Sequence, residues 1–199
     1  MFDARLRRVI DPPLNRAGRH LAALGISANQ VTVVGFALGL LALPLIALQA
    51  YEAALAMILF NRLCDGLDGA VARFSTMTDL GGFLDIVLDF IFYSAVIFGF
   101  VLAQPEHASY GAFLIFSFIG TGSSFLAYST FAAKRGLTTS LRGIKSLYYL
   151  GGLTEGFETI LCLVLMCLMP SSFWILAIIF GSLCWLTTAT RIYAAVKTL

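Results

Sequence analysis

Four aspartates fall in one stretch of a chain that otherwise avoids charge, as two close pairs: Asp65 and Asp68, then Asp85 and Asp89. Clustered carboxylates are ligands for hard divalent cations, which take oxygen donors in preference to nitrogen or sulfur. Four of them suffice to share two metal ions about 3.5–4 Å apart, the spacing used for displacement at phosphorus. A carboxylate at the centre of a bilayer costs about 2.5–3.5 kcal/mol on insertion scales, so a group of four in apolar surroundings needs cations to neutralise it. Because Mg²⁺ keeps coordination positions open for phosphate oxygens, the expected substrate is a phosphate-bearing lipid.

The rest of the chain sets the surroundings. Of 199 residues 59% are hydrophobic and 12% charged, with a mean hydropathy of +0.90. A soluble domain is closer to half apolar and a quarter charged. The expectation is an all-α polytopic membrane protein of one compact domain. Apolar runs of roughly 20 residues, the length needed to cross a bilayer, fall at 28–48, 53–74, 80–103, 109–132, 152–169 and 172–194. Six transmembrane helices put both termini on one side. The basic residues sort by the same alternation. Arg5, Arg7, Arg8, Arg16 and Arg19 precede the first span, and Arg62 and Arg73 lie toward the end of the second. Lys134, Arg135, Arg142 and Lys145 fall between the fourth and fifth spans, and Arg191 and Lys197 close the sixth. The opposite links, 49–52, 104–107 and 170–171, carry no Lys or Arg. By the positive-inside rule the chain is an integral protein of the inner, cytoplasmic membrane, with its termini and aspartates facing the cytoplasm.

Ahead of the spans, Phe2, Leu6, Val9 and Ile10 recur at helical spacing opposite Arg5 and Arg8. Such a segment lies in the headgroup plane. Pro12-Pro13 is expected to break this helix, with a second amphipathic piece carrying Leu14, Ala17, Leu21 and Leu24. The division that follows is a juxtamembrane interfacial helix, 1–26, and a six-helix catalytic domain, 27–199. The N-terminus lacks the apolar core and cleavage site of a signal peptide. Cys64, Cys162, Cys167 and Cys184 lie in apolar segments without zinc-site spacing and read as reduced packing residues. The bilayer is the expected partner; nothing points to nucleic acid.

Helical rise converts these positions into depth. At 1.5 Å per residue, Asp68 is about 9 Å and Asp65 about 13 Å from the cytoplasmic end of the second span. Asp85 is about 8 Å and Asp89 about 14 Å from the start of the third. The two spans are antiparallel neighbours, so Asp68 comes level with Asp85, and Asp65 with Asp89. Spacings of three and four keep each pair on one helical face. The four carboxylates then face one cavity open to the cytoplasm. Gly69, Ala72, Gly81 and Gly82 flank them. Small residues there admit a ligand or a neighbouring backbone. Arg73 reads as a phosphate ligand or as a helix C-terminal cation.

The residues Asp65, Asp68, Gly69, Ala72, Arg73, Gly81, Asp85 and Asp89 spell D-x2-D-G-x2-A-R-x7-G-x3-D-x3-D. This pattern resembles the signature of the CDP-alcohol phosphatidyltransferases. The resemblance implies a membrane-embedded homodimer that uses a CDP-linked donor and two divalent cations, Mg²⁺ or Mn²⁺. It implies metal binding by Asp65, Asp68 and Asp85, with Asp89 sharing the metal and acting as general base. Gly69, Ala72, Arg73 and Gly81 would line the donor site, joined by Asn29 and Thr32 at the start of the first span. Where the family often has Pro before that Asn, this chain has Ala28.

The reaction implied is transfer of a phosphatidyl group from CDP-diacylglycerol to the hydroxyl of a small polar acceptor (glycerol phosphate, inositol phosphate, serine or similar), with release of CMP. Lys134, Arg135, Arg142 and Lys145 read either as ligands of an acceptor phosphate or as topological charges. Glu155 and Glu158 share a helical face at headgroup depth and would bind a polyol or amine, or pair with Lys145. His107 falls in an outer loop and His20 at the interface. The alternatives are CDP-aminoalcohol transfer to diacylglycerol, an ion-coupled transporter, and a non-catalytic lipid-binding subunit. No second half of the chain mirrors the aspartate cluster, as a transporter built from repeats would require.

Overall fold

The computed structural model describes the backbone of residues 3–136 and 152–199, with side chains from Ile10 onward. Among these residues the chain is helical: α1 (Asp3–Ala23), α2 (Ala28–Gly39), α3 (Ala42–Ala47), α4 (Tyr51–Phe74), α5 (Asp79–Ala103), α6 (Ala108–Lys134), α7 (Gly156–Leu168) and α8 (Phe173–Thr198). Four stretches are long and apolar enough to cross a membrane: 28–47, 79–103, 105–134 and 170–198. Helix α4 has 24 residues but carries Arg62, Asp65 and Asp68, and α7 has 13. The outer faces are apolar too, with Val34, Phe98, Phe116, Ile119, Ile179 and Leu186 all exposed. Helices that are hydrophobic all round suit a lipid exterior.

Short connections make successive helices antiparallel. Thr78 caps α5 by accepting from Gly81 N at 3.0 Å. Single turns at Pro105–His107 and Pro170–Ser172 join α5 to α6 and α7 to α8, and the Gln104 side-chain amide donates to Pro170 O at 2.9 Å between them. One end of the bundle therefore gathers the C-termini of α4, α6 and α8 with the N-termini of α5 and α7.

One expectation is corrected here. The first apolar run keeps its expected span at 28–47, with its helix broken at Leu40–Leu41 between α2 and α3. The cause is Pro44, which lacks the N–H that would bond to the carbonyl of Leu40 and whose ring clashes there. Conversely, Pro12-Pro13 does not end the first helix, because α1 runs through both. Proline's fixed φ is itself helical, so the chain keeps helical backbone through both rings while losing two N–H donors.

The main core lies between α3, α4, α5, α6, α7 and α8. Phe92, Phe100 and Phe173 are fully buried there, and Phe100 stacks on Phe173 with centroids 4.9 Å apart. Helix α2 lies against α4 through Gly35 and Gly39. A Cβ at Gly35 would collide with Cys64 Cβ, and one at Gly39 would lie 2.7 Å from Asn61 Cβ. The spacing of four puts both glycines on one face, so the helix backbones approach closely. Helix α1 seats on the other side of α4. A Cβ at Gly18 would lie 2.7 Å from Ala70, and one at Gly66 would lie 2.8 Å from Leu14.

Candidate active site

The close crossings fix where α4 presents its polar face. Asp65, Asp68, Asp85 and Asp89 line one pocket between α2, α4 and α5, together with Thr32, Asn61, Arg62 and Leu88. Carboxylate oxygens of Asp65, Asp85 and Asp89 lie within 4.8 Å of one another. Asp68 stands slightly apart, accepting the Thr32 hydroxyl at 2.6 Å. The donor set is wholly carboxylate oxygen, which suits a hard divalent cation.

Of the expected donor residues Thr32 lines this pocket, whereas Asn29, Gly69, Ala72, Arg73 and Gly81 lie outside its lining. Thr32 reaches Asp68, so the start of α2 is tied to α4. The capping box of α2 is made by Ser27 and Gln30, leaving Asn29 to another use. Asn29 Oδ1 would lie 2.8 Å from a Cβ at Gly81, so the side chain rests on bare backbone at the start of α5. Gly69 is open on its face, with Arg73 Nη1 the nearest atom to a Cβ there, at 3.7 Å. Ala72 lies between Gly69 and Arg73 on the last turns of α4. Arg73 is exposed, and its Nε and Nη2 donate to Asn15 Oδ1 of α1 at 3.0 and 2.7 Å. Arg19 of α1 stacks over Phe74, 4.9 Å from the ring centroid.

The expected acceptor residues are more scattered. Lys134 and Arg135 are exposed at the C-terminus of α6, where Arg135 Nη1 contacts Thr198 O at 3.4 Å. Arg142 and Lys145 lie outside the described residues. Glu155 and Glu158 form the N-terminal capping box of α7, with Glu158 accepting from Glu155 N at 3.1 Å and Glu155 from Gly152 N at 3.2 Å. His107 packs with Tyr110 and Trp174 at the far end of the bundle.

Two arginines carry more than the sequence reading assigned them. Arg62 sits inside the aspartate pocket, with Nη2 2.6 Å from Asp89 Oδ1. Arg191 is buried on α8, donates to Thr121 O at 2.9 Å and stacks 5.6 Å from the centroid of Phe125. A Cβ at Gly152 would lie 3.1 Å from Arg191 Nη2, so the guanidinium underlies the entry to α7. Their position within apolar runs was the available signal, since a buried cation in a membrane helix implies a partner.

Apolar helices around a carboxylate pocket make this a membrane-embedded type of protein with a candidate metal centre. The chain belongs to the CDP-alcohol phosphatidyltransferase family, which matches residues 25–193, and is thus a phosphotransferase. It is 56% identical to the inner membrane protein YnjF of Escherichia coli, over all of this chain and 97% of that protein. It is 37% identical to the archaetidylinositol phosphate synthase of Pyrococcus horikoshii over 100 residues, covering 50% of this chain and 53% of that one. The fold is shared with Mycobacterium tuberculosis phosphatidylinositol phosphate synthase. Its structure with CDP-DAG bound superposes with a TM-score of 0.68 at 21% identity, covering 92% of both chains. Its complex with manganese and citrate gives a TM-score of 0.73 at 20% identity, covering 92% of this chain and 88% of that one. Membership in this family sets aside the transporter alternative, and the four retained aspartates argue against a non-catalytic lipid-binding subunit that kept the fold.

Proposed function

We propose that the protein transfers a phosphatidyl group from CDP-diacylglycerol to the hydroxyl of a small polar acceptor, releasing CMP. The observation that carries this reading is the convergence of the Asp65, Asp85 and Asp89 carboxylates within 4.8 Å, inside the family's complete signature. Asp65, Asp68, Asp85 and Asp89 hold two divalent cations, Mg²⁺ or Mn²⁺. When bound, these ions supply the positive charge that the donor's diphosphate requires as its bond to CMP breaks. Gly69, Ala72, Arg73 and Gly81, with Asn29 and Thr32, bind the CDP group. The openness of Gly69 and the bare backbone at Gly81 suit a close ligand. Asp89 takes the proton from the acceptor hydroxyl, whose oxygen then forms the new bond to phosphorus.

The acceptor of choice is a phosphorylated polyol such as inositol phosphate. Supporting this are the relative named an archaetidylinositol phosphate synthase and the cations Lys134, Arg135 and Arg191 at the pocket's end of the bundle. Arg142 and Lys145 belong to the same basic group by sequence. The capping role of Glu155 and Glu158 fixes the mouth of α7 next to Arg191 rather than opposing a phosphate with free carboxylates.

The membrane arrangement follows the same reading. Helices α4 and α7 complete six spans, α4 crossing because Arg62 pairs with Asp65 on the same helix and with Asp89 on α5. Residues 1–26 form the interfacial helix and 27–199 the catalytic domain. Both termini and the pocket face the cytoplasm, and the enzyme works as a homodimer. The test is purified protein in detergent with CDP-diacylglycerol, Mn²⁺ or Mg²⁺ and a panel of inositol phosphate, glycerol phosphate, serine and free inositol, with CMP as readout. Release only with inositol phosphate is expected. Release with none of them refutes the proposal, and a preference for serine overturns the choice of acceptor.

A further inference from the structure

Arg62 is the cation of the aspartate pocket to which the family pattern assigns no task. It precedes Asp65 by one helical turn on α4 and points across to α5. Its Nη2 donates to Asp89 Oδ1 at 2.6 Å and its Nη1 to Asp89 Oδ2 at 3.3 Å. Nη1 also donates to the Tyr93 hydroxyl at 2.9 Å. Nε donates to Asn61 Oδ1 at 2.9 Å, and Nη2 contacts the same oxygen. These five contacts use all five N–H donors of a guanidinium. Asn61 is anchored in turn, donating to Gly35 O at 3.0 Å. The guanidinium also lies over the rings of Phe92 and Tyr93, 4.9 and 5.2 Å from their centroids. Arg62 is thus clamped in place by α2, α4 and α5 together.

The consequence falls on Asp89. A carboxylate offers about four lone-pair sites, two per oxygen. On Oδ2 one is taken by Arg62 Nη1 and one by the Tyr93 hydroxyl, which donates at 3.0 Å. On Oδ1 one is taken by Arg62 Nη2. One site remains, on Oδ1. Asp65 differs, because its nearest guanidinium nitrogen is Arg62 Nη1 at 3.8 Å from Oδ2.

We propose that Arg62 is a positioning residue that, with Tyr93, reserves Asp89 for the acceptor hydroxyl. The fork of Arg62 and the Tyr93 hydroxyl hold the carboxylate in one orientation, in which Asp89 acts as base while sharing the metal site with Asp65 and Asp85. The resident charge of Arg62 also competes with any divalent ion for that carboxylate. This inference rests on the proposed role of Asp89 as base.

The charge and the fork of Arg62 have separable effects. Arg62→Lys keeps the charge but loses the planar, two-pronged grip. It should lower kcat at least about tenfold, with the KM for CDP-diacylglycerol and the affinity for Mn²⁺ unchanged. Arg62→Met removes the charge. It should lower kcat further while Mn²⁺, measured directly by calorimetry or paramagnetic resonance on the substrate-free protein, binds about tenfold more tightly. Tyr93→Phe releases one site on Oδ2 and should lower kcat severalfold with Mn²⁺ affinity unchanged. A residue that merely supports the fold would lower kcat and metal affinity together, and that result in Arg62→Lys and Tyr93→Phe overturns the proposal. So does wild-type kcat in Arg62→Lys. Asp89→Asn, measured alongside, separates the two layers. Its retention of activity would remove the base assignment itself, whereas its inactivity beside a fully active Arg62→Lys removes only the role of Arg62.

Discussion

Gly35→Ala adds one methyl group to α2 at its tightest crossing. The new Cβ would overlap Cys64 Cβ, with Cys64 Sγ 3.2 Å away and Cys64 Cα at 3.8 Å. The obstacle is a Cβ fixed to backbone, so no side-chain rotation relieves it. Relief to an ordinary carbon–carbon contact of about 3.5–4.0 Å requires the two helices to separate by roughly 1 Å. Two contacts span that crossing: Thr32 to Asp68 at 2.6 Å and Asn61 Nδ2 to Gly35 O at 3.0 Å. Both stretch beyond hydrogen-bond length after a shift of that size. Overpacking of this kind costs about 1–3 kcal/mol, and misplacing a ligand-bearing side chain by 1 Å costs about a hundredfold in rate. The expected result is a clear drop in melting temperature in detergent and a loss of about two orders of magnitude in CMP release. Cys64→Gly placed in the same chain opens the space again and should recover much of the rate, a non-additivity that a double-mutant cycle reads directly. Gly156→Ala is the control, since a Cβ there meets nothing within 4 Å. Wild-type melting and CMP release in Gly35→Ala would refute the link between this crossing and the pocket.

Three further outcomes are expected. Asp85→Asn or Asp89→Asn should each abolish measurable CMP release, and wild-type-like activity in both would sink the metal-catalysis account. Thr32→Val removes the hydroxyl held by Asp68; a hydrogen bond to a charged group is worth about 1.5–3 kcal/mol, so CMP release should fall about tenfold or more, as an initial-rate assay would show. Asn15→Ala frees Arg73 from its two contacts to α1, and the KM for CDP-diacylglycerol should rise severalfold with little change in kcat, whereas an unchanged KM would deny Arg73 a part in donor binding.

The helices α5, α6 and α8 were legible as apolar runs, because length and hydropathy are all that a lipid-facing helix needs. The aspartate pocket was legible too, since three- and four-residue spacings on antiparallel neighbours bring Asp65, Asp85 and Asp89 to one place. What escaped the sequence depended on partners far along the chain. Arg62 read as a basic residue near a span's end, and only the positions of Asp89 and Tyr93, 27 and 31 residues away, reveal its bonds. Glu155 and Glu158 read as acceptor ligands or as partners of Lys145, and their three-residue spacing is also that of the capping box they form. The break before α3 was signalled by Pro44, whose effect falls four residues upstream and was hidden by the unbroken apolar run.

The seat of α1 on α4 ties the N-terminal segment to the helix that carries Asp65 and Asp68. Gly18 lies against Ala70 backbone, Leu14 against Gly66, and Asn15 holds Arg73, all within the stretch that carries the aspartates. A force on α1, whether from a fused tag, a change in headgroup packing or a deletion, reaches the C-terminal turns of α4 through these contacts. A reporter protein joined ahead of Met1 is therefore a load on the enzyme, whereas one joined after Leu199 pulls on the exposed end of α8.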